Sequence, residues 1–188
     1  MPVYIIEHLE PFISRWCLIE YKHISKIVGK DNLWITNVKK GSKELEKYAK
    51  IIKESVKQLA LKDSCILDPD SNTTLAPKDS KKFRYFIFGG ILGDYPPKKR
   101  TRQMLTKFIK NPDTRNIGKK QMSTDNAVYV VKQINHGIPL EKIQFKQGIE
   151  IETGKNESVM LPYRYVLVEG KPLISEELID YLKRKRTF

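Results

Sequence analysis

Residues 83–97 read FRYFIFGGILGDYPP, and this stretch decides the fold. FRYFIFGG (83–90) is the strongest run of aromatic and β-branched residues in the chain, and it reads as a fully buried strand. Gly89, Gly90 and Gly93 fall within five positions. They let the backbone turn tightly at the strand's end and come close to a ligand. Asp94 closes the loop, and Pro96 and Pro97 stiffen the chain beyond it. The spacing is not that of the common phosphate loops. A P-loop needs Lys-Ser/Thr after its last glycine, and here Asp94-Tyr95 stands in that place; a dinucleotide fingerprint needs glycines at its first, third and sixth positions. On spacing alone, a plain strand-to-loop turn accounts for the segment equally well.

Working outward, strands and helices alternate. VYIIE (3–7) reads as a buried strand. Pro11 opens a helical stretch in which Phe12, Ile13, Trp16, Cys17, Ile24, Ile27 and Val28 recur at three- and four-residue steps, closed by Gly29. LWITNV (33–38) is a strand. Gly41 and Ser42 start a second helix with Leu45, Tyr48, Ala49, Ile52, Val56 and Leu59 on one face. CILDP (65–69) is a strand and turn, and 71–82 a polar loop. Helical spacing returns near 101–109 and at 124–136. IQFKQGIEIET (143–153) and SVMLPYRYVLV (158–168) read as late strands. Ser175 caps a last helix, with Glu176 and Glu177 in its first turn and basic residues at its end. The pattern predicts an α/β fold with a mainly parallel sheet and helices on both faces. No repeat or low-complexity linker divides the chain, so a single domain over 1–188 is expected.

Composition narrows the function. The chain has 188 residues, long enough to bury a sizeable core, and its balance of 40% apolar and 30% charged residues suits a globule rather than a disordered chain. No apolar run approaches the length of a membrane span, and the N-terminus lacks the basic start of a secretory signal. Cys17 and Cys65 have no metal-ligand spacing and the three histidines are scattered, so no metal is expected and a reducing cytoplasm is the simplest home. The net charge of +13 favours a polyanionic neighbour such as RNA or a ribosome, although a lysine-rich surface also serves solubility. Residues 95–120 hold nine basic side chains (among them Lys98, Lys99, Arg100, Arg102, Lys119 and Lys120) against the single acid Asp113, and read as a contact surface.

In an open α/β sheet, ligands bind beyond the carboxyl ends of the strands. Three such ends stand out: Leu67-Asp68-Pro69, the glycine loop 89–94, and residues 117–125. The last places Ser123, Thr124 and Asp125 at a helix mouth, where any of them can cap and where free N–H groups can meet an acceptor.

These segments carry a resemblance. VYIIEHLE with the helix through Trp16 to Glu20-Tyr21, CILDP, FRYFIFGGILGDYPPKKRT, RNIGKKQMSTDNAV and KNESVMLPYRYV resemble, in order, the SPOUT class of S-adenosylmethionine-dependent methyltransferases. The chain is most similar to the archaeal and eukaryotic branch that includes an arginine methyltransferase acting on a ribosomal protein. The helix-like stretch 42–62 matches little. The resemblance implies a C-terminal trefoil knot whose loops hold S-adenosylmethionine. Gly89, Gly90, Leu92 and Gly93 would wrap the cofactor, Ile117, Gly118, Gln121, Met122, Ser123 and Thr124 complete the wall, and Leu67 and Pro69 form the floor. Class members are usually homodimers; here no apolar helix face demands a partner, and monomer and homodimer both stay open.

Three functions are open to test. The resemblance favours N-methylation of an arginine in a ribosomal protein, with a carboxylate to hold the guanidinium and take its proton. Asp94 is the first candidate, Glu7 the second and Glu157, beside Asn156, the third, while His8 is read as structural. The basic segment equally suits methylation of rRNA or tRNA, or a ribosomal protein already seated on RNA. A non-catalytic RNA-binding module is the last reading.

Overall fold

The computed structural model describes residues 1–41, 43–90, 100–154 and 157–184. The first strand, β1 (Val3–His8), is buried along its whole length. Its side chains alternate between two cores, with Tyr4 and Ile6 on one face and Val3 and Ile5 on the other. Helix α1 (Arg15–Val28) begins later than Pro11 suggests, because Ser14 supplies the cap: its hydroxyl accepts the Cys17 N–H at 3.1 Å. Gly29, at φ 83°, ends it as expected.

Strand β2 (Leu33–Thr36) comes next, and then the structure departs from the periodicity. Residues 43–62 do not form the expected helix; residue 42 lies outside the described residues. Two single turns, Leu45–Lys47 and Val56–Gln58, flank the short strand β3 (Lys50–Ile51). Pairing decides the outcome: Lys50 and Ile51 extend the sheet beside Trp34 and Ile35, and the Lys50 ammonium lies 4.2 Å from the Trp34 ring centre. Such tertiary gains override helical spacing, which is only a weak prior. Next come β4 (Ser64–Leu67), β5 (Tyr85–Gly90), α2 (Arg100–Met104), β6 (Thr114–Arg115) and α3 (Thr124–Asn135). The polar loop 71–82 contains one turn of 3₁₀ helix at Pro77–Lys81.

Among the described residues, six strands form a wholly parallel sheet in the order β3-β2-β1-β5-β4-β6. One face carries α1 and α3, packed on Tyr4, Ile6, Phe86 and Phe88. The other carries Val56 and the α2 region through Leu105, packed on Ile5, Ile66 and Ile87. The helices therefore lie on both faces, as expected.

The late strands do not join this sheet. β7 (Phe145–Gly154), β8 (Glu157–Val168) and β9 (Lys171–Pro172) make a separate antiparallel sheet. Two residues separate β7 from β8, and so short a connection permits only antiparallel pairing. The last helix, α4 (Glu176–Arg184), packs Leu178 and Leu182 with Ile149, Leu161 and Tyr165 against Ile19 of α1. Among the described residues no helix is long and apolar enough to cross a membrane.

Candidate active site

Because every strand of the large sheet runs the same way, all their carboxyl ends open on one edge. β1 and β5 lie in register there, Glu7 opposite Gly89 and His8 opposite Gly90. The second glycine is required by packing. A Cβ at Gly90 would stand 2.7 Å from Ile6 Cγ2, 2.8 Å from the Tyr21 hydroxyl and 3.0 Å from the Glu7 carbonyl oxygen. Tyr21 pairs with His8 Nδ1 at 2.8 Å. His8 is buried, and burial pushes its imidazole below the ordinary value, so it is neutral at pH 7. That agrees with a structural histidine, although among the described residues no hydrogen-bond partner meets its buried Nε2.

Glu7 is completely buried. Its carboxylate accepts the hydroxyls of Thr36 and Ser55 and, at 2.9 Å, the N–H of Val56. It therefore ties the ends of β1 and β2 to the turn after β3. Glu157 stands elsewhere, exposed at the tip of the β7–β8 hairpin opposite Gly154. Arg164 of β8 is where that sheet meets the 117–125 loop, by bridging to Met122. Seven positions of extended strand, roughly 20 Å, separate Glu157 from that contact. Leu92, Gly93, Asp94, Lys98, Lys99 and Asn156 lie outside the described residues.

The other two loops are fastened to each other. Leu67 and Asp68 are buried and Pro69 is exposed. Asp68, expected only as part of a strand end, accepts the Asp70 N–H at 2.9 Å and the Thr106 hydroxyl at 2.9 Å. The Lys119 ammonium donates to the carbonyls of Pro69 and Ser71, each at 2.8 Å. Asn116, buried, donates to the Ser71 carbonyl at 3.0 Å and accepts the Gly118 N–H at 3.0 Å. Gly118 sits at φ 98°, where a side chain is strained, and its missing Cβ would meet Arg164 Nη1 at 3.1 Å. Ile117 is buried, and Gln121 and Met122 are half-buried.

At the mouth of α3, the free N–H groups expected from the sequence are taken. The Thr124 amide donates to Glu20 Oε1 at 2.7 Å and the Asn126 amide to Asp125 Oδ1 at 2.8 Å. Ser123, at the cap position, instead donates its hydroxyl to Asp125 Oδ1 at 2.5 Å. Asp125 Oδ2 pairs with His23 at 2.7 Å. Although burial opposes it, this partner holds the Asp125 carboxyl below its ordinary value. Glu20, read from the sequence only as part of the first helix, has its carboxyl pushed up to about 8 by burial and the nearby Asp125. A lone glutamate inside an amphipathic helix gives no signal of this.

The basic segment divides. Arg115 is held by Asp79 at 3.1 Å and Lys119 by backbone carbonyls, so both are structural. Arg100 pairs with Glu10 at 3.2 Å, and Arg102 reaches the Asp70 carbonyl at 3.5 Å. Lys107, Lys110 and Lys120 are exposed.

The model of the family described as "Protein arginine N-methyltransferase SFM1-like" matches residues 3–187. The chain belongs to that SFM1-like family. It is 38% identical over 200 aligned residues to protein arginine N-methyltransferase SFM1 of Saccharomyces cerevisiae, covering 96% of this chain and 94% of the yeast protein. The crystal structure of yeast SFM1 complexed with S-adenosylmethionine superposes with a TM-score of 0.88 at 36% identity, covering 98% of this chain and 91% of that one. A Trm10 from Thermococcus kodakaraensis matches with a TM-score of 0.56 at 16% identity, over 76% of this chain and 96% of the other, and shares the fold alone. The α/β fold of this SFM1-like chain is thus that of the SPOUT methyltransferases.

Proposed function

We propose that this chain transfers the methyl group of S-adenosylmethionine to a guanidinium nitrogen of an arginine in a ribosomal protein. The observation that carries the reading is the family match over residues 3–187. The residues at the sheet edge suit the donor. Leu67, Ile117 and Met122 offer apolar side chains, Pro69 extends the floor, and Gly118 allows the left-handed turn of the loop close to Arg164. Gly89, Gly90, Leu92 and Gly93 enclose the cofactor from one side and Gln121, Ser123 and Thr124 from the other. These loops are threaded as the trefoil knot of the class, and residues 1–188 act as one domain.

When bound, the donor supplies a methyl group on a sulfonium, ready for in-line displacement. The chain's own part is placement and proton handling. A guanidinium is charged at pH 7, and deprotonating it beforehand means crossing about 6 pKa units, or about 8 kcal/mol. A carboxylate that orients the nitrogen and takes the proton as the bond forms avoids most of that cost. Asp94, closing the glycine loop, takes the proton. Glu7 is a positioning residue, since its carboxylate already holds Thr36, Ser55 and Val56. Glu157, exposed at the start of β8, and its sequence neighbour Asn156 contact the substrate chain. The substrate is reached on RNA in the cytoplasm, gripped through Lys98, Lys99, Lys120 and their neighbours.

Incubating the protein with labelled S-adenosylmethionine and either stripped rRNA or ribosomal proteins tests this. Label is expected in the protein fraction, on arginine. Label confined to rRNA overturns the arginine reading in favour of RNA methylation, for which the exposed Lys107, Lys110 and Lys120 speak. Binding of the donor is read separately: at 100 times the dissociation constant it stabilises by about 2.7 kcal/mol. No thermal shift at millimolar donor leaves only an RNA-binding module.

A further inference from the structure

We infer that the cavity between α1, the mouth of α3 and β8 receives the substrate guanidinium, with Glu20 as the carboxylate that holds it and Trp16, Tyr163 and Tyr165 as the rings that face it. This rests on the proposed arginine methylation. The cavity holds about 170 Å³ and is lined by those four residues together with Met122 and Thr124, among others. Met122 and Thr124 also belong to the loop assigned to the cofactor wall, so donor and acceptor sites adjoin.

The chemistry of the lining selects a cation. Two buried acids meet here; both are hydrogen-bonded, Glu20 by the amides of Thr124 and Asp125 and the Thr124 hydroxyl, but a cationic partner stands beside Asp125 alone among the described residues. Asp125 has His23, Ser123 and Asn126. Glu20 accepts the Thr124 amide, and among the described residues it is ion-paired with no Lys, Arg or His. A buried carboxylate without a counter-ion is costly and stays protonated until a cation arrives. A guanidinium is planar, donates in a fork to a carboxylate and stacks on aromatic faces, which a lysine ammonium does less well. Among the described residues, the groups facing Glu20 are few. Asp125 with His23 lies on one side, Tyr163 and Tyr165 come from β8, and Cys17 and Tyr21 stand beside it on α1. Ile174 and Leu178 close the cavity without charge.

The test uses N-acetylarginine amide as probe, with N-acetylcitrulline amide and N-acetyllysine amide as controls, read by Trp16 fluorescence. The chain has two tryptophans, so W16F supplies the blank. The arginine probe is expected to change the signal and citrulline not to. Binding should strengthen up to tenfold per pH unit towards pH 8 and then level, because Glu20 must lose a proton to bind and does so freely above about 8. E20Q, which keeps an acceptor for Thr124, should weaken binding by about tenfold or more and abolish the pH dependence. E20Q should also raise KM for ribosomal-protein methylation while leaving the donor-induced thermal shift in place. Arginine binding unaltered in E20Q, or equal binding of citrulline, overturns the inference. If labelling fails altogether while the probe still binds through Glu20, the methyltransferase reading falls and the cation site stands.

Discussion

Gly90 and Glu7 show how far single side chains shape the candidate site. With Ile6 Cγ2 at 2.7 Å from the place of a Cβ, G90A forces β1, β5 and Tyr21 apart. It is expected to destabilise by about 1–3 kcal/mol, read as a lower denaturant midpoint. E7A leaves two hydroxyls and a buried amide without their acceptor, at about 1–3 kcal/mol for each group left unsatisfied, whereas E7Q costs less because one oxygen remains. D94N should cut arginine methylation far more than it cuts the donor-induced thermal shift; equal loss of both moves Asp94 to a cofactor role. Glu20 and Asp125 pull in opposite directions with pH. The raised Glu20 carboxyl makes the fold bind a proton that the unfolded chain releases near 4.5, so stability falls as pH rises from there to about 8. Depression of Asp125 stabilises above its ordinary value of 3.8 and is lost as pH falls below it. Thermal melts of wild type and E20Q between pH 5 and 9 should show the alkaline decline in the wild type alone.

Among elements, the boundary between what sequence revealed and what it hid tracks the source of each element's stability. FRYFIFGG, VYIIE and the α3 segment carry their own apolar pattern, and they appear where expected. Residues 43–62 carry an equally good helical spacing, yet the parallel pairing of Lys50 and Ile51 with β2, and Glu7's grip on Ser55 and Val56, decide the outcome. Both partners lie far off in sequence, so no local window reveals them. The basic stretch is similar. Lys119 and Lys120 are neighbours with identical chemistry and both are exposed, but the Lys119 ammonium staples the loop after β4. K120Q is expected to lower the slope of log K against log salt for rRNA by about 0.7–0.9, the share of one phosphate contact. K119Q should leave that slope alone and weaken donor binding by freeing the loop.

Over the whole molecule, one sheet supplies a row of strand ends and the other supplies a wall beside them. The first was legible, because glycines and prolines punctuate the ends of strongly apolar strands. The second was visible only as separate strands, since nothing local tells Tyr163 and Tyr165 that they will face Glu20 across a cavity. Helix α1 joins the two halves. Leu18, Tyr21 and Ile24 pack towards the parallel sheet, and Trp16 and Ile19 towards the antiparallel one. Inserting or deleting one residue within it turns everything downstream by about 100°, exchanging the sides that the two sheets recognise. This helix is therefore a segment of fixed length, and evolutionary drift in the size of the protein must gather in the connections on either side of it.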